Sequence, residues 1–305
     1  MKTKVIIVTG PTASGKTGVG IELAEKFNGE IVSADSMQIY KGLDINTAKA
    51  TDDEKQRAVH HMIDVVTPHD EFSVTDYVDM ASKAIDDIVA RGKTPIIVGG
   101  TGMYIKSLLF RQSYGNSTKN DEIRAKYADY LNKNGAEALH KLLEKVDPIS
   151  ASEIHPNNTK RVIRALEIYD ETGIPKSSQK DENIKPEYDY LMFVLDLPRE
   201  VLYDRINRRV NLMVESGGLD EARKVYAENL NPNAQCLQAI GYKEFFPFIK
   251  GEKLVSEVID DLATATRHYA KRQLTYFRSF DNAVWVNPMT DKQKIFDMSK
   301  DFLTK

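Results

Sequence analysis

The chain has 305 residues and one cysteine, Cys236, which excludes an internal disulfide and leads us to expect a reducing, cytoplasmic setting. With 41% hydrophobic and 29% charged residues it has the composition of a globular protein, long enough for a large α/β domain with a smaller companion. A net charge of −3 excludes a surface coated in positive charge but leaves room for a local basic patch that could meet RNA. Val5 to Val8 is too short for the apolar core of a signal peptide and reads as a buried parallel strand running into Gly10-Pro11. No stretch approaches the ~20 apolar residues of a membrane span, so no membrane association is expected. A helix should follow from about Gly15 to Asn28, burying Val19, Leu23 and Phe27, with Gly29 as its stop. Glu30 to Ala34 is the second strand and ends at Asp35. His60-His61 is an adjacent pair whose rings would face opposite ways on a strand, and no second pair completes a zinc set, so a structural role is expected. Ser73 or Thr75 should cap a helix burying Val78, Ala81, Ile85 and Ile88, ended by Gly92. Pro95 to Val98 is a third strand, broken by Gly99-Gly100.

Residues 113 to 183 change character, with polar turns at Gly115-Asn116-Ser117 and His155-Pro156-Asn157-Asn158, helical patterns and no strand-like run. Strand character returns at Tyr190 to Leu197 and at Val284-Trp285-Val286. Alternating strands and helices imply a parallel sheet with helices on both faces. The expected organisation is a P-loop NTPase-like core over 1–112 and 186–305, ending in C-terminal helices, with a helical insertion at 113–185.

Gly10-Pro11-Thr12-Ala13-Ser14-Gly15-Lys16-Thr17 fits G-x-x-x-x-G-K-[ST] between a strand and a helix, the context that gives the pattern meaning. The glycines let backbone N–H groups curl around an anion, the helix start adds its dipole, Lys16 adds a mobile charge, and the Thr17 hydroxyl can bind a phosphate-bound Mg2+. The loop alone says phosphate and not which molecule. ATP-hydrolysing relatives of this loop usually carry an acid after an apolar strand, whereas here Gly99-Gly100-Thr101 follows Val98. Asp35 is the acid that closes a core strand near the loop.

Six blocks in order then resemble the bacterial tRNA dimethylallyltransferase (tRNA isopentenyltransferase) family. They are Gly10 to Thr17, Ser33-Ala-Asp-Ser-Met-Gln-Ile-Tyr40 continuing to Lys49, His60-His-Met-Ile-Asp64, Gly99-Gly-Thr-Gly-Met-Tyr104, His155-Pro-Asn157 with Lys160 to Glu167, and Ala239-Ile-Gly-Tyr-Lys-Glu244. Small departures are Met62, Met103 and Asn211, none of which removes a reactive group. The resemblance implies that the Gly10–Thr17 loop holds the diphosphate of dimethylallyl diphosphate and that N6 of an adenine displaces it. It implies Asp35 as the proton acceptor, Thr101 near the reacting atoms, and Arg209 (in Arg205-Ile206-x-x-Arg209) on the leaving diphosphate. It also implies contacts to a tRNA anticodon stem-loop from Asp35, Ser36, Met37, Gln38, Thr101, Arg124, Thr159, Lys160, Arg161, Val162, Ile163, Arg164 and Tyr242. The plain alternatives are a turn aspartate at 35, a capping threonine at 101, a solvated arginine at 209, and in the 160–164 cluster either a solvated face or a structural Arg161 or Arg164 paired to a buried acid such as Glu167. Arg267, Lys271 and Arg278 fall near one helix face and could add to the basic surface. Rival readings are an adenylate isopentenyltransferase acting on free nucleotide, a P-loop kinase, and a non-enzymatic nucleotide-binding regulator. Nothing in the sequence calls for an obligate protein partner.

Overall fold

The computed structural model describes residues 2–111, 120–179, 185–232 and 234–305. The turn expected at Gly115 to Ser117 lies outside them. The chain forms two compact units, Met1–Leu109 with Pro186–Lys305, and Phe110–Lys185.

The larger unit is built on six parallel strands: β1 (Lys4–Thr9), β2 (Gly29–Ser33), β3 (His60–His61), β4 (Thr94–Val98), β5 (Asp189–Leu195) and β6 (Ala283–Val286), in the order β3-β2-β4-β1-β5-β6. β1 lies near the centre because it is apolar on both faces: Val5, Ile6, Ile7 and Val8 are all fully buried. One face carries Ile6, Val8, Ile31, Ile96 and Phe193 and packs on Ile21, Leu23 and Ala24 of α1 (Lys16–Lys26) and on Ile295 of α12 (Lys292–Thr304). Alternation sends Glu30 and Val32 to the other face, where α3 (Val74–Ala90) buries Tyr77, Ala81, Ile85 and Ile88. Tyr104 of α4 (Gly102–Phe110) stacks on Tyr77 there, ring centroids 4.0 Å apart. The fold is therefore α/β, with helices on both faces of a parallel sheet.

Local readings hold with shifts of a residue or two. Ser73 caps α3 through a reciprocal box with Asp76. α1 ends at Lys26, and the left-handed position after it is taken by Asn28 (φ 48°), not by the expected Gly29, which opens β2. Gly29 is needed for room, since a Cβ there would lie 2.6 Å from Ile96 Cδ1. The sequence reading missed α2 (Asp52–Arg57) and, after it, β3 as a strand. His60 pairs with Ile31 and His61 with Val32, so the two rings do face opposite sides. His61 Nε2 meets Glu30 Oε2 at 2.7 Å, and Arg91 and Lys93 close on the same carboxylate.

Past β5 the chain forms α8 (Arg199–Glu215), α9 (Gly218–Ala227), α10 (Tyr242–Ile249) and α11 (Val255–Phe277) before β6. Leu202 and Ile206 of α8 pack on Ala270 of α11, with Ala13 and Leu274 against them, which fixes both helices to the Gly10–Thr17 loop.

The smaller unit contains α5 (Asp121–Val146), broken at Gly135 where φ is 82°, α6 (Pro148–Glu153) and α7 (Thr159–Thr172). Its core is Tyr127, Leu139, Leu143, Ala151, Ile154, Val162, Ala165 and Leu166. No helix among the described residues is long and apolar enough to cross a membrane.

Candidate active site

Neighbouring parallel strands deliver their loops to one end of the sheet. That is why the Gly10–Thr17 loop after β1, Asp35 after β2 and Gly99 after β4 meet although they are far apart in sequence. They border a cavity of about 440 Å3 that is also lined by Arg209 of α8, Lys243 of α10, and Tyr269, Arg272 and Gln273 of α11.

The loop bends tightly out of β1. Gly10 has φ 143°, and a Cβ on it would lie 2.6 Å from the carbonyl oxygen of Leu195, so only glycine fits. Thr12, Ala13, Gly15, Lys16 and Thr17 line the cavity, whereas Pro11 and Ser14 are buried behind it. The Thr12 N–H points away from an anion, donating to Gln273 Oε1 at 2.8 Å. Lys16 is half-buried and its ammonium donates to the Pro11 carbonyl at 2.7 Å. Burial pulls its pKa down to about 7, Arg209 pushes the same way and Asp35 opposes both. Burial also lowers the Arg209 pKa, with Asp35 and Glu54 opposing; a guanidinium stays charged regardless. Arg209 makes no ion pair among the described residues, so its charge faces the cavity beside Lys16 without a full counter-charge. Arg205, one turn earlier, brings Nη1 to 3.8 Å from where a Cβ of Gly15 would sit.

Asp35 forms a short turn of its own. Its Oδ1 accepts from the Met37 N–H at 2.9 Å and more distantly from that of Gln38, leaving Oδ2 for the cavity. Gln38 reaches on to the carbonyls of Thr47 and Ala48. Thr101 is not on the cavity wall. Its Oγ1 accepts from the Ser36 N–H at 3.0 Å and lies against the Ser36 hydroxyl and the Tyr269 phenol, so it holds the Asp35 turn from behind. Burial and the charge of Asp35 keep that phenol protonated. His60 also lines the cavity, its Nδ1 2.8 Å from the Ala58 carbonyl, and burial lowers its pKa, which keeps it neutral near pH 7.

A magnesium ion fits this donor set in a limited way. Thr17 and Asp35 both line the cavity and could supply oxygen donors, but no cluster of three His, Cys, Asp or Glu occurs among the described residues. That is the sparse protein coordination expected where phosphate oxygens and water supply the remaining ligands of Mg2+.

Several expected RNA contacts are placed otherwise. Tyr242 is fully buried and donates to Glu221 Oε1 at 2.7 Å. Its side chain therefore supports the 44–46 loop, whose three N–H groups Glu221 also accepts. Val162 is fully buried in the small core, and so carries no contact through its side chain. Arg124 and Arg164 grip the buried Glu167 at 2.8 and 2.7 Å. Burial pushes the Glu167 pKa up, but these guanidinium bonds outweigh it and the net shift is down. Lys160 and Arg161 remain exposed with no ion pair among the described residues, beside the half-buried Thr159 and Ile163. Sequence reasoning missed Glu221, Tyr269 and Gln273, and gave His60 a structural role without placing it at the cavity. Glu221 and Gln273 left a readable signal, each a polar residue on the buried stripe of its helix, beside Ala222 and Val225 and between Ala270 and Phe277.

Residues 38–280 match the family model described as IPP transferase. The chain is 46% identical over 305 residues to a tRNA dimethylallyltransferase of Lactobacillus acidophilus, covering 98% of each. Its fold is similar to the crystal structure of the tRNA isopentenylpyrophosphate transferase of Bacillus halodurans, with a TM-score of 0.73 and 43% identity over 99% of this chain and 96% of that one. It is also similar to a eukaryotic dimethylallyltransferase captured acting on tRNA, with a TM-score of 0.84 and 33% identity over 99% of this chain and 80% of that one. With the motif blocks, the sheet and the cavity all in agreement, the chain belongs to the IPP transferase family.

Proposed function

We propose that this protein transfers the dimethylallyl group of dimethylallyl diphosphate to N6 of the adenosine 3′ of the anticodon in tRNA, in the cytoplasm. The observation that carries the reading is that one cavity is lined by Lys16, Thr17 and Arg209 and also by Asp35. The first set suits a polyphosphate and the second suits an amine that must lose a proton. N6 attacks C1, the C1–O bond breaks, and diphosphate leaves with the electron pair. Lys16, Arg209 and the loop amides of Ala13, Gly15, Lys16 and Thr17 meet the charge that grows on it. The N6 proton passes to the free oxygen of Asp35, whose other oxygen is fixed by the Met37 N–H. Thr101 steadies that turn. Mg2+ on Thr17, when bound, would neutralise further diphosphate charge.

An adenine stacked in a loop cannot enter such a cavity, so it must be turned out, at a cost of a few kcal/mol. We assign the offsetting phosphate contacts to Lys160 and Arg161, with Thr159 beside them, and the basic rim to Arg267, Lys271, Arg272 and Arg278. The test is incubation with labelled dimethylallyl diphosphate and either tRNA or AMP. Label in tRNA alone is the expected result. Label in AMP alone would assign the site to free nucleotide, and label in neither would remove the transferase reading.

A further inference from the structure

We infer that Gln273 is a positioning residue that sets the spacing between the Gly10–Thr17 loop and the Asp35 turn. The inference rests on the transferase reading. The Gln273 side chain is buried and uses both ends of its amide: Oε1 accepts from the Thr12 N–H at 2.8 Å, and Nε2 donates to the Gly100 carbonyl at 2.9 Å. From Gly100 the chain steps to Thr101, whose N–H is held by the Ala34 carbonyl at 3.0 Å and whose hydroxyl holds the Ser36 N–H at 3.0 Å. Asp35 sits between those two anchors. One glutamine therefore ties the loop assigned to the diphosphate to the strand end carrying the proton acceptor.

Gly100 gives independent support. It is not among the glycines with positive φ, so its backbone does not require glycine. A Cβ there would lie 2.3 Å from Gln273 Nε2, while the next neighbour outside Gln273, the Gly10 carbonyl oxygen, is at an ordinary 3.7 Å. The space at Gly100 is reserved for the glutamine amide. The transfer needs N6, C1 and the leaving oxygen in line. A misplacement of about 1 Å between the two halves of such a site is enough to lose roughly 100-fold in rate.

The experiment uses the full-length protein. Wild type is first shown to label tRNA, and Q273M, G100A and the double variant G100A/Q273A are compared with it and with Q273A. Positioning predicts that Q273M stays folded at assay temperature, keeps its KM for dimethylallyl diphosphate within about threefold, and loses roughly 10- to 100-fold in kcat. It also predicts that G100A loses kcat and that G100A/Q273A is no worse than Q273A, because both changes disrupt one contact. Unchanged kcat in folded Q273M, or losses in the double variant that multiply, would overturn the inference. Hydrogen exchange reads the same link without turnover: pyrophosphate should slow exchange at the Ser36 and Thr101 amides in wild type and not in Q273M. If wild type fails to label tRNA, the transferase reading falls, and the link stands or falls on that exchange result.

Discussion

Lys16 carries the clearest titration in the cavity. With a pKa of about 7, its ammonium is half neutral at neutral pH in the free protein. A bound diphosphate favours the charged form, so binding takes up a proton, and affinity falls as pH rises through 7 toward 9, by at most about tenfold per unit. Calorimetry of dimethylallyl diphosphate in buffers of different ionisation enthalpy should show that uptake, and Lys16→Met should abolish it along with most of the affinity. Asp35→Asn keeps the shape of the side chain and removes proton acceptance. Turnover should fall by roughly 10²–10⁴-fold with both substrates still bound; a value within a few-fold of wild type would assign the proton to another acceptor. These two residues were legible because each sits in a contiguous motif block. Gln273 and Glu221 left only the signal of a polar residue on a buried helical stripe, because what gives them meaning is a backbone group more than 170 residues away.

At the level of the element, α7 divides its cations by its own geometry. Arg164 and Glu167 are three positions apart, so they share a helix face, and the buried carboxylate claims Arg164. Lys160 and Arg161 stand one turn earlier, near the helix start, and stay in water. Lys160→Ala with Arg161→Ala should therefore lower the slope of log tRNA affinity against log salt by roughly one and a half to two, with thermal stability unchanged. Arg164→Ala should instead lower the melting temperature of the 110–185 unit, because it leaves a buried charge short of a partner. Glu167 has a lowered pKa, so its contribution is present above the ordinary carboxylate range and is lost as pH falls through the folded value. Circular dichroism of both variants between pH 3 and 7 separates the two roles. The sequence pattern showed the cluster of three cations and offered Glu167 as a buried partner for Arg161 or Arg164; it is Arg164 that the carboxylate holds, and that choice depends on where the side chains lie.

For the whole molecule, the two units differ in how completely they were readable. The alternation of strands and helices located the sheet, since it follows from local periodicity. Strand order did not follow, and neither did β3, which is two residues long. The insertion leaves and returns at neighbouring points, where the Glu187 N–H meets the Leu109 carbonyl at 2.6 Å. Replacing residues 110–185 with a short Gly-Ser link should therefore give a protein that folds and binds dimethylallyl diphosphate at near wild-type affinity but binds tRNA weakly. Loss of diphosphate affinity in that deletion would show that the larger unit depends on the smaller.

The pairing of β1 with β5 has a consequence for how the protein is made. β1 runs from Lys4 to Thr9 and one of its two edges is closed by Asp189–Leu195, which emerge far later from the ribosome. At ordinary elongation rates the delay is on the order of ten to forty seconds. During that interval β1 can pair with β4, but its other edge offers a bare row of amides and carbonyls flanked by Val5, Ile6, Ile7 and Val8. The nascent chain is thus most exposed to aggregation at its own centre. Slowing translation between β4 and β5 should lower the soluble yield more than slowing it after β6.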